Sequence, residues 1–153
     1  MTQTENHIVI DARPATIYAL AARTEQWPSI LPHYRFVRVL KAQGNSRIVE
    51  MGAWRGRIPI RWIAEQKNDP ERLHVAFRHI RGWTKGMEVE WLLEPCEGGT
   101  RVRIQHRLSF AFPVAQEWLG EHVVTRGFIR PVADKTLACM KRIAESRECT
   151  ASA

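Results

Sequence analysis

No apolar run in the sequence approaches the ~18 residues that a membrane-spanning helix needs. Met1 to His7 lack the basic-then-apolar order of a signal peptide, so neither export nor stable membrane insertion is expected. Cysteine is scarce: Cys96, Cys139 and Cys149 are odd in number, and none forms a C-x-x-C pair. That argues against a disulfide framework and for reduced thiols in the cytoplasm, with Cys139 read as a small buried hydrophobe. The six histidines show neither an H-x-x-x-H spacing nor a pairing with cysteine at zinc spacing. G-x-S-x-G, P-loop and G-x-G-x-x-G motifs are missing too. No metal, redox group or other cofactor is expected. Repeats, linkers and low-complexity tracts are also lacking, so 1–153 reads as one domain with its core over 5–147 and a disordered tail at 148–153.

What is present is an ordinary globular composition, 44% hydrophobic and 25% charged over 153 residues, enough to bury a core without staples. The formal charge is +7, with far more Arg than Lys. These basic residues are scattered from Arg13 to Arg147 among Glu and hydrophobes, with no basic arm and no RNP-like motif. A solvated basic surface explains them, and no nucleic-acid partner is expected. Six tryptophans are many for this length; indoles fill cores, and they also line pockets for planar or lipidic ligands.

His7-Ile8-Val9-Ile10-Asp11 is rich in β-branched residues and reads as a strand. Pro14 suits a first helical position, and Ile17, Leu20 and Ala21 follow at helical spacing, predicting a helix over 14–22. A second helical turn over 24–31 ends at Pro32. From Tyr34 the period becomes two, with strands over 36–41, 47–54, 58–67, 73–80, 85–94 and 101–110, punctuated by Gly and Asn-Asp-Pro. Ala133, Leu137, Met140 and Ala144 form an apolar stripe, so an unbroken helix is expected from about 130, after Gly120, Gly127 and Pro131 have interrupted 113–130. A strand, two short helices, a six-strand meander and one long helix make an α+β fold whose sheet must bury that helix on a concave face.

Gly98-Gly99 as a two-residue turn would set Glu94 opposite Arg103 and Glu90 opposite Arg107 on one face. Leu93, Trp91, Val89 and Met87 then share the other face with Ile104, His106 and Leu108, placing Met87, Trp91 and His106 on the inner side. Over 73–80 the inward set is Leu73, Val75, Phe77 and His79. The strand over 58–67 is ambiguous. Amphipathicity sends Ile60 and Trp62 inward and leaves Arg61 and Glu65 in solvent; the opposite parity puts Arg61, Ile63 and Glu65 inside.

Trp27-Pro28, Leu31-Pro32, Gly56-Arg57, the run Gly86 to Trp91, Gly98-Gly99-Thr100 and the Leu137 to Glu145 helix resemble the SRPBCC (START-like) superfamily over residues 5 to 147. The nearest branch is the polyketide cyclase/dehydrase proteins, the aromatase/cyclases. The resemblance implies a helix-grip (START/Bet v 1-like) fold, about seven curved antiparallel strands around the C-terminal helix with an apolar cavity. It implies pocket-lining roles for Trp27, Tyr34, Arg61, Ile63, Glu65, Met87 and Trp91, and so favours the inward Arg61 parity. It also implies a pocket that guides a poly-β-ketone chain through intramolecular aldol cyclisation and dehydration.

Such chemistry asks for a held conformation and a stabilised enolate or alkoxide. The candidate catalytic residues are Arg61 as a fixed charge and Glu65, His79 and His106 as proton carriers. Candidate substrate-binding residues are Trp27, Tyr34, Ile63, Phe77, Trp83, Met87 and Trp91, with Trp83 and Trp118 at the pocket mouth. The partner expected is a hydrophobic or polyketide small molecule. Polar groups deep in the pocket favour catalysis; a wholly apolar pocket favours a non-catalytic carrier of a quinone or lipid, like the coenzyme-Q-binding START proteins. An exposed edge strand near the N-terminus permits a homodimer.

Overall fold

The computed structural model describes residues 2–82, 84–108 and 129–152. Seven strands make one antiparallel sheet in the order β1-β7-β6-β5-β4-β3-β2. They are β1 (Thr2–Ile10), β2 (Tyr34–Gln43), β3 (Ser46–Arg55), β4 (Ile58–Asp69), β5 (His74–Gly82), β6 (Glu88–Cys96) and β7 (Gly99–Leu108). Between β1 and β2 lie α1 (Pro14–Ala22), a 3₁₀ turn (Thr24–Gln26) and α2 (Trp27–Ile30). The long C-terminal helix α3 (Arg130–Ser152) packs along β1 and α1. The predicted meander, the predicted α1 and the onset of the long helix all match. Beyond the expected core, α3 runs on through Ser152, and Glu148 accepts hydrogen bonds from the Arg13 N–H and the Thr16 hydroxyl at the start of α1.

The apolar stripe of α3 is buried at Ala133, Leu137, Met140 and Ala144. Removing Leu137 and Met140 from water contributes about 1.5–3 kcal/mol each. Polar tethers concentrate in the C-terminal half of α3, where Glu145 accepts from the Asp11 N–H (3.0 Å) and Lys141 donates to the Val9 carbonyl (3.0 Å). Among the described residues its first turns are tied through Asn6 to the Arg130 carbonyl (3.4 Å) and Asp134 (2.6 Å), and through His33 to Thr136 (2.8 Å).

The β6–β7 hairpin has the predicted faces with a register two residues away. Glu94 stands opposite Arg101, Trp91 opposite Ile104 and Val89 opposite His106. Gly99 is the cause. A Cβ there would lie 2.2 Å from the Ile10 carbonyl oxygen, so the end of β1 sits directly over it and Gly99 belongs to β7, leaving Glu97-Gly98 as the turn. A two-residue displacement returns every side chain to the same face. The expected charge pairs survive as diagonal contacts, Arg103 to Glu94 at 3.8 Å and Arg107 to Glu90 at 3.0 Å.

On β4 the even residues point inward: Trp62, Ala64 and Gln66 are buried and Arg61 is exposed. Gln66, fully buried, anchors the helical corner to the sheet. Its Oε1 accepts from Thr24 (2.7 Å) and Arg47 (3.3 Å), and its amide donates to the Ala22 carbonyl (2.8 Å) and Asn68 (2.9 Å). Arg47 adds bonds to the Ala22 carbonyl and Glu25, both 2.7 Å. Gln66→Leu keeps the volume but orphans these partners, so it is expected to cost roughly 2–3 kcal/mol. The loss would be read as a lower urea midpoint at unchanged slope. An unchanged midpoint would mean the network is incidental.

Candidate functional site

Between the concave face and the first turns of α3 lies a cavity of about 70 Å³. Its aromatic wall is Trp27, Tyr34, Trp62, Phe77 and Trp91; Met51, Met87, Val89 and Ile104 complete the sheet side. Ile129, Val132, Ala133 and Thr136 close it from the helix. Trp27 is the hub of the aromatic wall, with ring centroids 5.0 Å from Tyr34, 5.8 Å from Trp91 and 6.0 Å from Phe77. Its indole N–H donates to the Leu20 carbonyl at 3.0 Å, which fixes the ring by a bond outside the cavity.

Two histidines interrupt this apolar surface. His79 reaches it from β5, one residue before a bulge at Ile80 where the β4–β5 register shifts. Bulges of this kind re-aim neighbouring side chains. Its Nδ1 lies 2.7 Å from the buried Thr84 hydroxyl, and its ring stacks on Trp62 at 5.5 Å and 5° from parallel. Burial, with the nearby His106 as a lesser cause, pushes its pKa down to about 3. His106, on β7 between Val89 and Thr4 in the register, is pushed by burial down to about 4. Its Nδ1 is buried without a hydrogen-bond partner among the described residues, and so is the Thr4 hydroxyl across from it. Both imidazoles are therefore neutral near pH 7. Burial raises the Tyr34 phenol well above its ordinary value, so it stays a donor.

Of the predicted site residues, Trp27, Tyr34, Phe77, His79, Met87, Trp91 and His106 converge on this cavity. Arg61, Ile63 and Glu65 do not; they stand on the outer face of β4. Arg61 lies in register with Gly52, and Glu65 makes a 3.5 Å ion pair with Lys67 beside an outer cleft. The physical reason is the alternation of β4, whose Trp62 and Ala64 gain far more from burial than Arg61 or Glu65. Trp83 and Trp118 lie outside the described residues. Trp62, Met51 and Thr136 are lining residues that the sequence reading left out; the amphipathic parity of β4 already carried Trp62. Cys139, expected to be buried, is half-buried and lines an outer groove.

A curved antiparallel sheet gripping one long helix over an aromatic cavity with buried neutral histidines defines a helix-grip domain. The chain belongs to the family described as polyketide cyclase / dehydrase and lipid transport, which it matches over residues 10–141. It is 30% identical over 112 residues to the granaticin polyketide synthase bifunctional cyclase/dehydratase of Streptomyces violaceoruber, covering 71% of this chain and 35% of that protein. The corresponding protein of Streptomyces virginiae is 26% identical over 151 residues, 95% of this chain and 49% of its own length. The chain thus spans half or less of these curated relatives. The crystal structure of the Zhui aromatase/cyclase from Streptomyces sp. R1128 shares the fold, with a TM-score of 0.82 at 15% identity over 95% of this chain and 94% of that one.

Proposed function

We propose that this chain binds an aromatic or pre-aromatic polyketide in the inner cavity and promotes intramolecular aldol cyclisation and dehydration without a cofactor. The observation that carries the reading is His106: its side chain lines the cavity beside a second neutral histidine, and its buried Nδ1 has no hydrogen-bond partner among the described residues. An unsatisfied buried group of this kind asks for a role that ligand or reaction supplies. Membership of the family and likeness to two cyclase/dehydratases favour catalysis over the carrier reading.

In a poly-β-ketone the methylene between two carbonyls is already acidic, so a weak base in the right place suffices. His106 Nδ1 takes that proton as its free base. The carbanion attacks a ketone carbon farther along the chain and forms the ring bond. The new alkoxide takes a proton, and loss of its hydroxyl with a neighbouring hydrogen releases water. Tyr34 and His79 donate hydrogen bonds to the oxygen on which charge gathers, and in an apolar cavity such donors act with little screening. The aromatic wall supplies the folded conformation. A cavity of about 70 Å³ is smaller than the ~300 Å³ at which ligand pockets begin, so in this proposal binding parts the first turns of α3 from the sheet. The β1 edge leaves a homodimer open as part of this proposal, and nucleic acid has no role in it.

The test is a linear hexaketide N-acetylcysteamine thioester, followed by the growth of aromatic absorbance. The protein should raise the rate at least ~100-fold over buffer. Arg61→Ala should match the native protein, because Arg61 lies on the outer face. No acceleration, together with saturable tryptophan quenching by long-tailed quinones, would instead make the chain a carrier.

A further inference from the structure

Outside the cavity, a groove of about 780 Å³ runs between α3 and the β3–β4 turn. Pro32, His33, Trp54 and Gly56 form one side; Lys135, Ala138, Cys139 and Arg142 of α3 form the other, with Arg57 at the turn. Three cations thus line it, Arg57, Lys135 and Arg142, and among the described residues no carboxylate does. No ion pair joins any of the three to an acidic group among the described residues. A fourth, Arg35, lies 4.9 Å over the half-exposed Trp54 ring, so the wall itself is aromatic and basic. Elsewhere on the surface Arg13, Arg38, Arg47, Arg101, Arg103 and Arg107 each face a glutamate.

A hydrogen bond joins the lining of this groove to that of the inner cavity. His33 lines the groove, Thr136 lines the cavity, and His33 Nε2 meets Thr136 Oγ1 at 2.8 Å. The Thr136 hydroxyl lies equally close to the Val132 carbonyl, at 2.8 Å, which fixes it at the divide. The His33 ring also touches Tyr34, 5.0 Å between centroids, and Tyr34 is part of the cavity wall. Along α3, Val132, Ala133 and Thr136 face inward while Lys135, Ala138, Cys139 and Arg142 face the groove. Two adjoining faces of the same helix turns therefore serve the two compartments.

We infer that the groove is the mouth of the ligand site and holds an anionic end of the ligand. A carboxylate or phosphate-bearing end lies against Arg57, Lys135 and Arg142, while the apolar body passes the His33–Thr136 bond into the cavity. The inference rests on the inner cavity being the ligand site, as proposed above. It adds a substrate class: an amphiphile with an aromatic or ketonic body and an anion at one end. Without an anion the groove cations gain nothing from the ligand, so charge also orders insertion, body first. The anion has two sources, a free carboxylate of the ligand or a phosphate-bearing arm that carries it as a thioester.

Three probes with one body separate these outcomes: 2-naphthoate, 2-naphthoyl-coenzyme A and methyl 2-naphthoate, each followed by tryptophan quenching. Lys135→Ala/Arg142→Ala, a pair of exposed substitutions, should weaken at least one anionic probe about tenfold at low salt and leave the neutral ester unchanged. Whichever anion binds tighter and loses more names the source. Equal losses for anion and ester, or no loss for either anion, overturns the inference while the cavity reading stands. Failure of all three probes to bind overturns the cavity reading with it. The route has its own readout. Thr136→Val removes the bond at the divide and should speed association of the neutral ester several-fold in stopped flow; an unchanged rate would place the route elsewhere.

Discussion

His106→Leu is expected to stop ring formation and, in the same protein, to raise the melting temperature. The native side chain is kept at a cost: its Nδ1 is buried without a partner among the described residues, which typically sacrifices about 1–3 kcal/mol. Leucine fits an apolar position flanked by Val89 and removes that penalty. For a domain of this size the gain corresponds to about 2–4 °C for each kcal/mol recovered. Losing the base should lower the rate of aromatic product formation by roughly 10²–10⁴-fold. A purely structural histidine would give another pattern, with stability and activity falling together. The thioester assay and a thermal melt on one preparation decide between them. His106→Gln, which keeps hydrogen-bonding capacity without a basic nitrogen, should lose activity as well; a Gln variant at native rate would remove His106 from the chemistry.

His79 differs from its neighbour because it is satisfied. Thr84 holds its Nδ1 and Trp62 stacks on its ring, so it is oriented before any ligand arrives. The pair thus divides the work between one oriented ring and one ring with an open nitrogen. Neither carries charge near neutral pH, and that suits a cavity whose other lining is mostly hydrocarbon.

Much of this was legible in the sequence. Period two after Tyr34, Pro14 at the start of α1 and the Ala133–Ala144 stripe each follow from local rules that the tertiary structure leaves in force. The convergence of Met87, Trp91 and His106 followed from a charge-sorted hairpin, and it survived a register error because that error was even. What failed was β4. Its residues already stated the correct parity, with Trp62 and Ala64 on one face and Arg61 and Glu65 on the other; a family resemblance argued for the reverse. Gln66 helped to hide the answer, since a polar residue on the buried face blurs the pattern until the bonds from Thr24 and Arg47 are seen. Those partners are distant in sequence, as is Thr136 from His33, and no spacing rule pairs them. The register of β6 with β7 was hidden for a like reason. Gly99 reads as a turn residue until β1 is known to lie against it.

Acid should unfold this protein well above the range in which carboxylates titrate. In the unfolded chain each histidine takes its proton near 6.5, whereas in the fold His79 resists until about 3 and His106 until about 4. Between pH 6.5 and 4 the unfolded state thus binds protons that the folded state refuses. Stability is full above 6.5 and falls as the pH drops through that window. At pH 5 the loss is about 2 kcal/mol for each of the two rings, roughly 4 kcal/mol together. His33, lowered to about 4 by burial and by Lys135, adds a loss of the same sign. Glu25, Glu145 and Glu148 are lowered by their hydrogen bonds and contribute stability that is lost only at lower pH, so the two phases separate. Urea melts between pH 7 and 5 should show the native midpoint falling steeply. His106→Leu should keep about two-thirds of the slope, because the His79 and His33 shares remain. A midpoint flat from 7 to 5 would mean that both rings protonate inside the fold, and the cavity would then hold cations, fit for an anionic oxygen rather than for taking a proton from carbon.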